Sequence, residues 1–91
     1  MNCEQRMAKI RSRLEAAFVP ESLELEDESY KHVGHEGARD GHGHFRVLIV
    51  SDAFADMNLL QRHRSVYKAL GEMMKTDIHA LNIEAYTTAE F

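Results

Sequence analysis

Apolar positions change their spacing along this chain in a way that marks out five elements. Met7, Ile10, Leu14, Ala17 and Phe18 recur at the period of a helix with one apolar face. Pro20 closes that segment, because the residue before a proline is pushed out of helical backbone. Leu23 and Leu25 then alternate with Glu24, Glu26 and Glu28, which predicts a strand with one wet face. Phe45, Val47 and Ile49 alternate with Arg46, Leu48 and Val50, and so apolar a strand belongs nearer the centre of a sheet. Residues 29–43 link the two. Leu59, His63, Val66, Leu70 and Met73 return to the helical period, flanked by Leu60, Tyr67 and Met74, with Asp56 or Asn58 placed to cap the first amides. Leu81, Ile83 and Ala85 supply a last strand over residues 80–87.

The order helix, strand, strand, helix, strand predicts an α+β domain in which a three-stranded mixed sheet carries both helices on one face. The first two strands are joined directly and should be antiparallel. A helix joins the second to the third, so those two run parallel if adjacent, with a right-handed crossover. At 91 residues the chain reads as one domain, residues 1–91. A chain of that size buries only about 60 to 65% of the surface its unfolded form exposes, which leaves a thin two-layer core.

Composition narrows the function classes. Hydrophobic residues at 44% and charged residues at 29% suit a folded globular domain rather than a disordered one. No apolar run approaches the roughly 18 to 20 residues a bilayer needs, so no membrane partner is expected. Met1 to Arg13 is interrupted by charge and lacks the apolar core of a secretory signal. Cys3 is the one cysteine, which agrees with a reducing compartment and an expected cytoplasmic location. The net charge of −4 hides an uneven distribution. Both helical segments are locally basic, through Arg6, Lys9, Arg11 and Arg13 and through Arg62, Arg64, Lys68 and Lys75, while Glu21, Glu24, Glu26, Asp27 and Glu28 form an acidic block between them. No nucleophile sits in a recognisable elbow and no phosphate-binding glycine motif opens a helix, so an enzyme is not expected.

Asp27-Glu28-Ser29-Tyr30-Lys31-His32, His44-Phe45-Arg46-Val47, Val50-Ser51, Phe54, Leu60-Gln61-Arg62-His63-Arg64-Ser65-Val66-Tyr67 with Leu70, and Ile78-His79-Ala80-Leu81 with Thr87 together resemble the BolA family, in order and over nearly the whole chain. The resemblance implies a type II KH-like fold, consistent with the element order. It implies partnership with a monothiol glutaredoxin, the two proteins sharing a [2Fe-2S] cluster together with glutathione, and no cofactor in the isolated chain, which is expected to be monomeric. For some bacterial members it implies a DNA-binding regulator of morphology and stress response. Two positions depart from the family's pattern. Asp56 stands where a glycine is usual, and aspartate tolerates positive φ better than most residues. Phe91 stands in place of a usual tryptophan, so the family's trailing segment is expected to be missing or very short.

Carried over from the resemblance, His79 is the first cluster ligand and His32 the second. Neutral imidazole replaces thiolate on one iron of a [2Fe-2S] centre in Rieske proteins, so the chemistry permits it. Spacing alone favours a packed His79, since its parity matches Leu81 and Ile83, and the resemblance reverses that preference. Residues 32–44 carry His32, His35, His42 and His44 among four glycines. His35 and His42 read as exposed loop residues, His44 as a recurrent family histidine without an assigned ligand role, and Cys3 as no ligand. A structural zinc site would need four fixed ligands, mostly cysteines, which this loop lacks. His63 falls on the apolar stripe and reads as a packed, hydrogen-bonded histidine. Arg62 and Arg64 flank it on more exposed faces and, with Lys68, are the expected nucleic-acid or partner contacts. The KH signature, a Gly-X-X-Gly loop between helices, is absent, which argues against RNA binding by the usual route.

Overall fold

A computed structural model of the chain describes residues 3–28, 43–76 and 78–91, the side chains of Cys3 and His79 excepted. Its elements are α1 (Cys3–Phe18), β1 (Ser22–Asp27), β2 (Gly43–Val50), a 3-10 turn (Asp52–Phe54), α2 (Leu59–Leu70), a short α3 (Met73–Thr76) and β3 (Ile78–Tyr86). The strands lie in the order β1-β2-β3. β1 runs antiparallel and β3 parallel to β2. This is the α+β arrangement, with a mixed three-stranded sheet, that periodicity predicts.

The core forms where the helical and strand periods meet. Ile10, Leu14 and Phe18 of α1, Val66 and Leu70 of α2, and Met73 of α3 share one cluster with Phe45, Val47 and Ile49 of β2 and with Ile78, Ile83 and Ala85 of β3. The helices therefore cover one face of the sheet. On the opposite face His44, Leu48 and Val50 are also buried, as befits the central strand. Leu23 and Leu25 are only partly buried, consistent with an edge strand. Gly43 is needed for close approach, because the Phe45 ring lies over it and an added Cβ would stand 2.2 Å from that ring.

Two helix ends differ from the sequence reading. The stripe Leu59 to Met73 predicts a single helix, but Gly71 adopts φ +54 and its amide closes on Tyr67 O at 2.9 Å, so α2 stops there. Met73 reaches the core from α3 instead. Leu59, expected on the buried stripe, is 64% exposed because it opens the helix beyond the reach of the sheet. Asn58 is the cap: its side chain accepts from Gln61 N at 2.9 Å while Gln61 Oε1 accepts from Asn58 N at 2.8 Å, a reciprocal capping box. Asp56 takes φ 68 in the preceding turn, the left-handed backbone for which aspartate was expected to suffice.

A 3-10 turn that periodicity does not predict locks α1 to the sheet. Ser51 Oγ donates to Phe18 O at 2.7 Å and accepts from Ala53 N at 3.1 Å. Phe54, fully buried, brings its ring to 4.9 Å from that of Phe18. The chain enters β1 through a strained residue. Val19 has φ 42, a left-handed conformation that costs a β-branched residue about 1–2 kcal/mol, and its side chain is 83% exposed. Val19→Gly is expected to stabilise the fold by about 1 kcal/mol, seen as a higher urea midpoint at unchanged slope. A midpoint equal to that of the parent would mean the turn stores no strain.

Candidate functional site

One end of the sheet gathers the start or finish of all three strands. Asp27 pairs with Phe45, and Glu28 N donates to His44 O at 2.7 Å. His44 pairs in turn with Ala80 near the start of β3. Residues 29–42, which include His32, depart from Glu28 and return at Gly43, both at this rim. His32, His35 and His42 themselves lie outside the described residues.

His79 is the second residue of β3, and the register breaks there. Gly43 pairs with Ile78 and His44 with Ala80, so β3 takes one extra residue, His79, over the step that β2 makes in one. The sequence argument for a packed imidazole rested on unbroken alternation with Leu81 and Ile83. That alternation fails: Ile78 is 2% exposed and belongs to the core, although it stands three positions before Leu81 and strict alternation would turn it to the other face. Irregularities of this kind bend a strand and re-aim side chains, and they recur beside functional sites.

The sheet face away from the helices is charged. Arg46 Nη1 stands 3.8 Å from Glu26 Oε2, and its Nη2 is bonded to Glu84. By register Leu48 lies between Glu24 and Glu84 on the same face, and Arg46 of β2 stands between Glu26 of β1 and Glu84 of β3.

Among the three cationic side chains expected as contacts, the structure separates one from the others. Arg64 and Lys68 are exposed on α2, one turn apart, beside Leu60 and Tyr67, which are 57% and 40% exposed. Arg62, expected on an exposed face, is not: its side chain is only 12% exposed. Its guanidinium donates to Met57 O at 3.1 Å, to Ala85 O at 3.1 Å, and to both carboxylate oxygens of Glu90 at 2.7 and 3.1 Å. Glu90 also accepts from Thr87 N at 2.7 Å, and Thr88 Oγ1 donates to Asp52 Oδ1 at 2.7 Å. Arg62 thus clamps the entrance of α2 to the end of β3 and to the segment that follows it.

The Arg62 hydrogen bond, followed by that of the Thr87 amide, holds the Glu90 carboxyl down at about 2, against an ordinary 4.5. Glu90 in turn raises the Arg62 guanidinium. Because the folded value lies below the unfolded one, the clamp stabilises the fold fully above about pH 4.5 and is lost as pH falls toward 2. An NMR titration of Glu90 is expected to show its midpoint near 2, with Arg62→Gln returning it toward 4.5. An unchanged midpoint in that variant would assign the shift to another group.

His63, expected to be packed and hydrogen-bonded, is half-buried, and its Nε2 is sequestered without a hydrogen-bond partner among the described residues. Cys3 lies in the first turn of α1, away in sequence from the rim. Among the described residues, no three histidine, cysteine, aspartate or glutamate side chains come together in a way that could hold a metal ion.

Fold and rim together define a small α+β domain in which the histidine-bearing segment and the histidine of β3 issue from one end of the sheet. The chain belongs to the BolA family: the family model described as BolA-like protein matches residues 14–90. It is 46% identical over 87 residues to SufE-like protein 1, chloroplastic/mitochondrial, of Arabidopsis thaliana, covering 90% of this chain and 24% of that protein. It is 42% identical over 83 residues to the DNA-binding transcriptional regulator BolA of Escherichia coli K12, covering 91% of this chain and 76% of that one. The solved BolA domain of SufE1 from Arabidopsis thaliana superposes with a TM-score of 0.84 at 43% identity, over the full length of both chains. The chain therefore spans about a quarter of the plant relative and three quarters of the bacterial one.

Proposed function

We propose that this chain is an adaptor that binds a monothiol glutaredoxin and carries between the two proteins a bridging [2Fe-2S] cluster, in cluster trafficking or iron and redox regulation. His79 and His32 are the ligands this chain contributes. The observation that supports the reading is the convergence at one sheet rim of the irregular strand opening at His79 with both ends of the segment containing His32. The donor chemistry fits: a [2Fe-2S] cluster takes four ligands, and imidazoles serve on one iron while thiolates serve on the other. Two histidines are half of such a shell, leaving the thiolates to glutaredoxin and glutathione. Anaerobic reconstitution of the two proteins with glutathione and iron is expected to yield a coloured complex with one cluster per pair. A complex that forms but stays colourless would leave a binding module without cargo.

A second reading, a DNA-binding regulator, is favoured by the exposed pair Arg64 and Lys68 on α2 and by the name of the bacterial relative. Each phosphate neutralised on duplex DNA contributes about −0.9 to the log-log salt slope of binding. Replacing Arg64 and Lys68 together by alanine is expected to flatten that slope by about 2, whereas Arg62, engaged inside the fold, should leave it unaltered. An identical slope in the double variant removes α2 from the interface.

A further inference from the structure

Both edge strands carry a helix-borne arginine on a main-chain carbonyl that faces away from the sheet. Tyr86 O accepts from Ser51 N at 2.9 Å, so Tyr86 turns its main-chain groups toward β2. Successive residues of a strand turn theirs to opposite sides, which directs those of Ala85, Ile83 and Leu81 outward. It is Ala85 O that Arg62 Nη1 meets at 3.1 Å. In β1, Glu28 N reaches His44 O, so the groups of Leu25 and Leu23 face outward, and Leu23 O accepts from Arg11 Nη1 at 3.4 Å. An edge with free main-chain groups is a template for another strand, and proteins cover such edges with charge, bulges or flanking segments.

We propose that Arg62, held in place by Glu90, guards the outer edge of β3 against pairing with β3 of a second copy of this chain. The register irregularity at His79 interrupts that edge at one end, and the Arg62–Glu90 clamp occupies it at the other. Between them Leu81 and Ile83 make no outward main-chain hydrogen bond among the described residues. A second copy is the fitting occupant because the edge is self-complementary. A two-fold axis through Asn82 sets Leu81 of each copy against Ile83 of the other, and an isologous contact of this kind closes on itself. On the open face it sets Asn82 opposite Asn82 and Glu84 opposite Ala80, so no like charges meet. The same ladder, extended, would pair Ala85, where the guanidinium stands.

Light scattering behind size exclusion, at rising concentration, tests this with the full chain, Arg62→Met, and Arg62→Met combined with Asn82→Glu. The parent is expected to run as a single chain and Arg62→Met as a dimer, its self-association at least about tenfold tighter. Asn82→Glu, which opposes two carboxylates across the axis, should return it to a single chain. The proposal is overturned if folded Arg62→Met stays single, if the parent pairs equally tightly, or if Asn82→Glu leaves the dimer intact. Should Arg62→Met not fold, hydrogen exchange of the parent decides. Leu81 and Ile83 amides that exchange rapidly at every concentration support the guard, and protection that grows with concentration overturns it.

Discussion

With His79 replaced by alanine, the proposed complex with glutaredoxin is expected to assemble but to lose the visible absorption of its cluster. Changes to groups that merely support a ligand lower metal affinity by about 10- to 100-fold, and removing a ligand should cost no less. Three features make the outcome diagnostic. His79 sits in an irregular strand opening rather than in the regular ladder, so truncation there should leave the β2–β3 pairing from Phe45 to Val50 intact. Ligation requires the neutral ring, so the parent cluster should weaken in acid as imidazole protonates. His79→Cys should keep a cluster at a lower reduction potential, since imidazole ligation raises it. A full cluster spectrum in His79→Ala would take this histidine out of the coordination shell.

Phe54→Ala is expected to destabilise the fold by about 3–5 kcal/mol. The ring is fully buried, packs against Phe18 at 4.9 Å and belongs to the one core cluster. A domain of this size holds about 5–14 kcal/mol in all, so the variant should sit close to the unfolding threshold. Urea unfolding followed by circular dichroism reads the loss as a lower midpoint. A shift of under about 1 kcal/mol would mean that the 3-10 turn swings away and the cavity collapses.

The element order was legible because each period is strong: three α1 positions, Ile10, Leu14 and Phe18, and three β2 positions, Phe45, Val47 and Ile49, all enter the core. What escaped depends on contacts between distant residues. Arg62 lies on a helix beside exposed cations, and nothing local says that its partner is Glu90, twenty-eight positions further on. The break at Gly71 outweighs an apolar stripe that continues to Met73, because a left-handed glycine ends the helix whatever follows. The extra residue at His79 exists only in the pairing of β3 with β2, so strand parity read along one segment does not reveal the break in register. Only the family resemblance pointed to the rim as the place to look.

The rim has one more consequence, in the order of events during synthesis. Its three contributors are far apart in the chain, and β3, being parallel to β2, docks only after a long connection has closed. The rim is thereby complete only when the polypeptide is. On the proposed function, a nascent or truncated chain lacking β3 would lack His79 and with it one of the two proposed ligands.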